Sequence, residues 1–338
     1  MSDSSLSPHI ALRERTRALE PAYSLLWGWR DRVEQWRAEL RPRLRDLLAL
    51  PGTAPDLSVR ELHTVDEEGF SRTRIGYDVE CGVAAVAWVC VPHDNEAPLP
   101  AVICAHPRGP GKDETVGLVD GEGGSPGPAF AAELAQRGYV TVAPDLRGFG
   151  ERRGDETALA TAGDLLGRPL AGMHVWDLLQ AAQYARSRPD VNCSRVGVLG
   201  VGLGGIVGLL AAALDESLAC VAACGGLSTY RELIVSRDCF LHGGPPELVV
   251  PGLLRYADLD DVVCLVPPRP VCLLQDPADR SVPHRGAEEL LRRVKAGFAL
   301  MGEDVKLQAE MPPAGGGPST RGAYEFLDSW LKLPGRMD

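Results

Sequence analysis

From Ala101 onward, short unbroken apolar runs alternate with longer segments of helical periodicity. The runs Ala101–Ala105, Tyr139–Ala143, Val196–Leu199, Ala219–Ala223, Val271–Leu274 and Val305–Glu310 have the length of strands covered on both faces. Segments 127–137, 171–187, 205–214, 283–299 and 320–332 separate them and read as helices. This alternation predicts an α/β fold, a mostly parallel twisted sheet with helices on both faces. Ahead of it, residues 57–64, 72–79 and 83–91 alternate apolar and polar positions, as antiparallel strands do. Further upstream, Leu12, Leu19, Tyr23, Leu26, Trp27, Trp36, Leu40, Leu44, Leu47 and Leu48 recur at helical spacing until Pro51-Gly52 ends the pattern. The expected division is an N-terminal helical segment, 1–54, and a sheet domain, 55–338. An irregular insert, 225–268, carries the Gly/Pro-rich stretch His242–Pro251 and falls where a lid over a site would lie.

The 338-residue chain has a formal net charge of −11 and no basic stripe, which argues against nucleic acid and anionic membranes as partners. No apolar run reaches the length of a membrane span, and Met1–Pro8 lacks the pattern of a signal peptide. The nine cysteines are scattered, with Cys90, Cys104, Cys220 and Cys272 inside apolar runs and no metal-ligand spacing. These features lead us to expect a cytoplasmic protein with reduced thiols, no structural metal and no cofactor.

Residues 195–205 run from an apolar strand through Gly200-Val201-Gly202-Leu203-Gly204 into the helix Ile206–Leu214. That is the strand–turn–helix setting of a G-x-S-x-G nucleophile elbow, with Gly202 at the nucleophile position. An acyl-transfer serine presents its Oγ to a carbonyl while a base takes its proton, and glycine has no such atom. Two readings stand side by side. Either the elbow has relaxed to the residue that tolerates positive φ, or removal of the side chain makes room for a bulky ligand.

His106-Pro107-Arg108-Gly109, Pro144-Asp145-Leu146-Arg147-Gly148-Phe149-Gly150-Glu151-Arg152, the elbow, Pro267-Pro268-Arg269-Pro270 with Asp276-Pro277-Ala278-Asp279, and Gly315-Gly316-Gly317 together carry a resemblance. Over residues 55–332 the chain resembles the α/β-hydrolase superfamily, in its dienelactone-hydrolase-like and acetyl-xylan-esterase-like branch. The resemblance implies Asp279 as the acid of the triad and places the base at Gly317; no histidine follows His284. The serine and histidine positions are therefore both glycine, and Pro107 has no N–H for an oxyanion hole.

What remains is a set of candidates. The N–H groups of Leu203 and Arg108 are oxyanion-type donors. Asp279 is a candidate proton carrier whose pKa would rise if buried, or else a loop brace. The Arg108 side chain could orient an anionic oxygen or form an ion pair, and His242 could move a proton or stand solvated. His106, Gly202, Leu203 and Gly317 are expected to line the substrate site. Ser236 and Cys239 are possible relocated nucleophiles with no base beside them, and His284 begins a helix. Asp145, Arg147, Glu151 and Arg152 read as one structural ion-pair cluster, Trp176 and Asp177 as packing and surface.

The resemblance extends to non-hydrolytic members of bacterial natural-product pathways. It implies a tailoring enzyme that catalyses a cofactor-independent cyclisation, rearrangement or C–C bond formation on a polycyclic metabolite, for example of the anthraquinone-fused enediyne type. The alternatives are a ligand-binding or scaffold pseudoenzyme and an esterase with a relocated nucleophile. The expected partners are a large polycyclic small molecule and a second copy of the chain, met through the N-terminal helices.

Overall fold

The computed structural model describes residues 7–93, 98–119, 129–236, 244–312 and 320–332. Its centre is a sheet of nine strands: β1 (Arg60–Glu67), β2 (Phe70–Glu80), β3 (Val83–Pro92), β4 (Leu99–Ala105), β5 (Val140–Pro144), β6 (Val191–Val201), β7 (Val221–Cys224), β8 (Val271–Leu274) and β9 (Leu307–Glu310). Their spatial order is β1-β2-β3-β5-β4-β6-β7-β8-β9. The first three strands and the β3/β5 pair are antiparallel, and every pair from β5/β4 to β8/β9 is parallel. Parallel strands need both faces covered, which is why β5, β7 and β8 are buried along their whole length and read as plain apolar runs.

The pleat sends alternate side chains to opposite cores. On β4, Ala101, Ile103 and Ala105 join one core while Val102 and Cys104 join the other. The first core lies under α3 (Val33–Leu47), α7 (Leu170–Ser187), α8 (Leu203–Leu214) and α11 (His284–Leu300), the second under α5 (Phe130–Gln136) and α12 (Thr320–Leu327). The remaining α-helices among the described residues are α1 (Pro8–Ala18), α2 (Leu25–Gly28), α4 (Lys112–Thr115), α6 (Glu156–Leu165), α9 (Tyr230–Val235) and α10 (Leu259–Val263).

The N-terminal segment has no core of its own among the described residues. Trp36, Leu40 and Leu44, four apart on α3, form one buried stripe that belongs to the sheet's first core. Arg41, on the same helix, donates to the carbonyls of Ala213 and Leu265 at 3.0 and 3.1 Å. This stripe is buried inside the chain, whereas Leu12 and Trp27 of the same segment are exposed.

The insert also departs from expectation. Its second half is not a lid, because Ala257, Leu259, Val262, Val263, Leu265 and Val266 are buried in the first core. Asp258 and Asp261 form a capping box on α10, and the Asp261 carboxylate accepts from Leu25 N–H at 2.9 Å. Asp258 likewise accepts from Tyr230 N–H at 2.7 Å, and Asp260 pairs with Arg293 at 2.5 Å.

β4 is followed by β5 on one side and β6 on the other, so the strand order reverses between β4 and β6. Ligands of open α/β sheets bind at such a switch point, beyond the carboxyl ends of the strands. The loop after β4 and the turn after β6 face each other there.

Candidate active site

At the end of β6 the chain reverses at Gly202, whose φ of +54° and ψ of −117° lead directly into α8. Three glycines surround this turn for different reasons. A Cβ at Gly200 would lie 2.2 Å from the carbonyl oxygen of Gly204, and one at Gly204 would lie 2.1 Å from that of Ala105. Both are excluded by backbone. At Gly202 a Cβ would meet nothing closer than Pro107 Cβ at 3.6 Å, an ordinary contact. The nucleophile position thus has room for a side chain and lacks one. The Gly202 N–H is held by the Cys224 carbonyl at 2.9 Å. The N–H of Leu203 falls in the first turn of α8, where no intrahelical acceptor exists and the helix end carries partial positive charge.

Asp279 stands one residue behind the elbow. Gly226 packs on Gly202, so that a Cβ at Gly226 would come within 3.1 Å of Gly202 Cα. The N–H of Gly226 donates to Asp279 Oδ2 at 2.9 Å. Gln275 Nε2 reaches the same oxygen at 3.0 Å, and Ser281 N–H reaches Oδ1 at 2.8 Å. Partial burial pushes the carboxyl's pKa up, but the hydrogen bonds from Ser281, Gly226 and Gln275 outweigh it and hold the pKa below the usual value. The expected upward shift is therefore reversed. An ionised carboxylate with both oxygens engaged is a weak base, and the geometry is that of a brace between two loops.

His106 is wholly buried. Its Nδ1 lies 2.6 Å from the Pro107 carbonyl and its Nε2 accepts from Leu146 N–H at 3.0 Å. This network assigns the neutral Nδ1–H tautomer, and burial pushes its pKa down. With both nitrogens spent on backbone, His106 straps the β4 loop to the β5 loop and has none to offer a substrate.

The Arg108 guanidinium pairs with Glu247 of the insert and Glu156 of α6. It is the ion pair, not a free anion-orienting group. Glu247 was not singled out from the sequence. It is fully buried, one oxygen on Arg108 and the other, Oε2, without a hydrogen-bond partner among the described residues. Its only signal is an acid set inside Pro245-Pro246-Glu247-Leu248, facing the question of what neutralises Arg108.

Ser236 sits at the C-terminal end of α9, its N–H bonded to the Glu232 carbonyl. His284 is exposed at the start of α11, 3.3 Å from Glu288. His242, Cys239 and Gly317 lie outside the described residues. The ionic residues form two clusters rather than one. Lys112 joins Asp145 at 2.9 Å and Glu151 at 2.6 Å, while Arg147 and Arg152 close on Asp177 at 3.0 and 2.5 Å. Asp177, expected at the surface, is fully buried because those two arginines neutralise it. Burial pushes the thiols of Cys220 and Cys224 up to about 12, so neither is a nucleophile. Among the described residues no group of His, Cys, Asp and Glu is arranged to hold a metal ion, and no helix is long and apolar enough to cross a membrane.

A parallel sheet with its switch point at a strand–glycine–helix elbow, backed by an acid after β8, defines the α/β-hydrolase fold. The model of the dienelactone hydrolase family matches residues 92–239, the stretch that holds the β4 loop and the elbow. The chain is 32% identical over 305 residues to the "Putative hydrolase YtaP" of Bacillus subtilis (strain 168), a match covering 87% of this chain and 100% of that protein. It belongs to the dienelactone hydrolase family. Solved structures agree on the fold. A "putative acetyl xylan esterase" of Bacteroides fragilis superposes with a TM-score of 0.73 at 18% identity, covering 95% of this chain and 89% of that one. A glucuronoyl esterase of Solibacter usitatus gives 0.62 at 13% identity, covering 88% and 93%.

Proposed function

We propose that this member of the family does not run an acyl-enzyme hydrolysis. It would instead bind a polycyclic carbonyl or phenolic compound at the emptied elbow and promote a cofactor-independent cyclisation, rearrangement or C–C bond formation on it. The observation that supports this reading is Gly202, which keeps the backbone geometry and the space of a nucleophile position and has no atom to attack with. The Leu203 N–H at the positive end of α8 supplies stabilisation for charge developing on a bound oxygen. In serine proteases such donors and binding alone retain about 10³–10⁴-fold catalysis over water. That magnitude suits an intramolecular step, whose partners are already joined.

Asp279 is assigned to positioning the elbow through Gly226, not to proton transfer. A second reading, hydrolysis by a relocated nucleophile, draws support from the 32% identity to a protein named as a hydrolase. One pair of measurements separates them. The purified protein should not turn over p-nitrophenyl acetate above a denatured control, and 1-hydroxyanthraquinone should bind saturably to the parent but not to Gly202→Leu. Ester turnover lost in Ser236→Ala or Cys239→Ala would establish the second reading. Turnover that survives both, or quinone binding untouched by Gly202→Leu, would sink the first.

A further inference from the structure

A cleft of about 850 Å³ opens at the amino-terminal ends of the parallel strands β6 to β9, opposite the elbow. Cys193 and Ser194, at the start of β6, stand on its wall. Gly202 follows Ser194 by eight residues, so at 3.3 Å per residue roughly 26 Å of strand separates cleft and elbow. The volume lies within the range of small-molecule sites, about 300–1,000 Å³.

Its chemistry is specific. Leu218, Pro268, Pro270 and Trp330 supply apolar wall, and Arg186, Arg269 and Lys306 supply positive charge. The carboxylates on the wall already have partners: Glu216 pairs with Arg41 at 2.9 Å and Glu303 with Lys306 at 3.1 Å. Arg186 is paired with Asp215 at 3.0 Å. Arg269 differs from all of these. Its guanidinium donates to the carbonyls of Val266, Asp215, Leu218 and Ala212 at 2.7–3.2 Å, and no carboxylate pairs with it among the described residues. Those neutral acceptors take four of its five protons, which leaves one on Nη2. Burial, reinforced by the nearby charge of Arg41, disfavours its charged form. The charges of Glu216 and Asp215 act the other way, and an anion in the cleft would meet a guanidinium that no carboxylate pairs with among the described residues.

We propose that this cleft is a second small-molecule site, separate from the elbow, that takes an amphiphilic carboxylate. The apolar body lies along Trp330 and the two prolines, and the carboxylate lies beside Arg269 and Lys306. Fatty and aromatic acids share this chemistry, and decanoate and 2-naphthoate represent them.

The test is calorimetric titration of the full-length protein with decanoate, 2-naphthoate and the neutral control decanol. Charge-assisted hydrogen bonds contribute about 1.5–3 kcal/mol, so a carboxylate should bind roughly tenfold or more tighter than decanol. Arg269 ties several carbonyls together, and its substitution would test folding as much as binding. Lys306→Gln and Ala219→Trp, checked for an unchanged circular dichroism spectrum, carry the test instead. Lys306→Gln should weaken the acids about 3–5-fold and leave decanol alone, while Ala219→Trp should abolish binding of all three. Preference for decanoate over 2-naphthoate, or the reverse, identifies which acid the body of the cleft fits. Equal binding of acid and alcohol, binding indifferent to Ala219→Trp, or no saturable binding of either acid would each overturn the proposal.

Discussion

Gly202 and Gly204 stand two positions apart and answer to different constraints. Gly204 is glycine because the backbone of β4 passes through the place its Cβ would occupy; Gly202 is favoured only by its positive φ. Gly202→Ala should therefore cost about 1–3 kcal/mol, the strain of a side chain held at φ +54° and ψ −117°. Gly204→Ala must push β4 from α8 and should cost about 3 kcal/mol or more. Urea midpoints at constant m-value measure both, and equal losses would contradict the distinction. Asp279→Asn bears on the same site. The amide must turn an NH₂ toward a loop N–H or toward Gln275, so a stability loss of about 1 kcal/mol is expected with the elbow loosened. Melting temperature and 1-hydroxyanthraquinone binding should fall together in this variant. A stable variant that binds normally but loses single-turnover rate on the native substrate would return Asp279 to proton transfer.

The loops that frame the site are tied down by histidines whose burial favours the neutral form. His106 fastens the β4 loop to Leu146, and His174 on α7 holds the Arg147 carbonyl at 2.8 Å. Burial pushes His174 down to about 4. An unfolded histidine titrates near 6.5, so between about pH 6.5 and 4 the unfolded chain takes up a proton that the folded chain refuses. Stability contributed by His174 is thus present at neutral pH and lost on acidification through that window, by about 3 kcal/mol at most. His174→Gln keeps a donor for Arg147 and does not titrate. The gap in urea midpoint between parent and variant should narrow from pH 7 to pH 5, and a constant gap would show that His174 is not held neutral by the fold. The elements themselves were legible where periodicity ran long: β4, β5, α7, α8 and α11 lie close to their expected bounds. The exposed Val305 belongs to a turn, and β9 starts at Leu307. What pattern could not convey is which charges find partners. Asp177, Asp258, Asp260 and Asp261 all look like surface in one dimension. They are interior because Arg147, Arg152, Arg293 and buried N–H groups meet them. Glu247 escaped notice for the same reason, since its partner Arg108 lies 139 residues away.

At the scale of the molecule, the first core runs from α3 through the sheet to α10 and α11, crossing the boundary at residue 54 that composition and periodicity suggested. Trp36 is the test of that continuity. It is wholly buried, its ring packs within the sheet's core, and its Nε1–H is satisfied by the Tyr23 carbonyl at 2.8 Å. If residues 1–54 were a separate unit, emptying this position would melt the helices alone and leave the sheet, with its elbow, standing. A shared core behaves otherwise, because the cavity left by Trp36→Ala is lined by side chains from both parts. Truncation of a buried tryptophan costs about 3–5 kcal/mol, and that loss should appear in one cooperative transition. Urea unfolding followed by a fluorophore on a cysteine introduced at exposed Ala38 of α3, and separately at exposed Leu62 of β1, each with Cys81, Cys193 and Cys239 replaced by serine, reads the two parts independently. Coincident midpoints of the two reporters, shifted down together in the variant, are the expected result; a variant whose α3 reporter melts first while the β1 reporter keeps the parental midpoint would make the N-terminal helices an appendage after all.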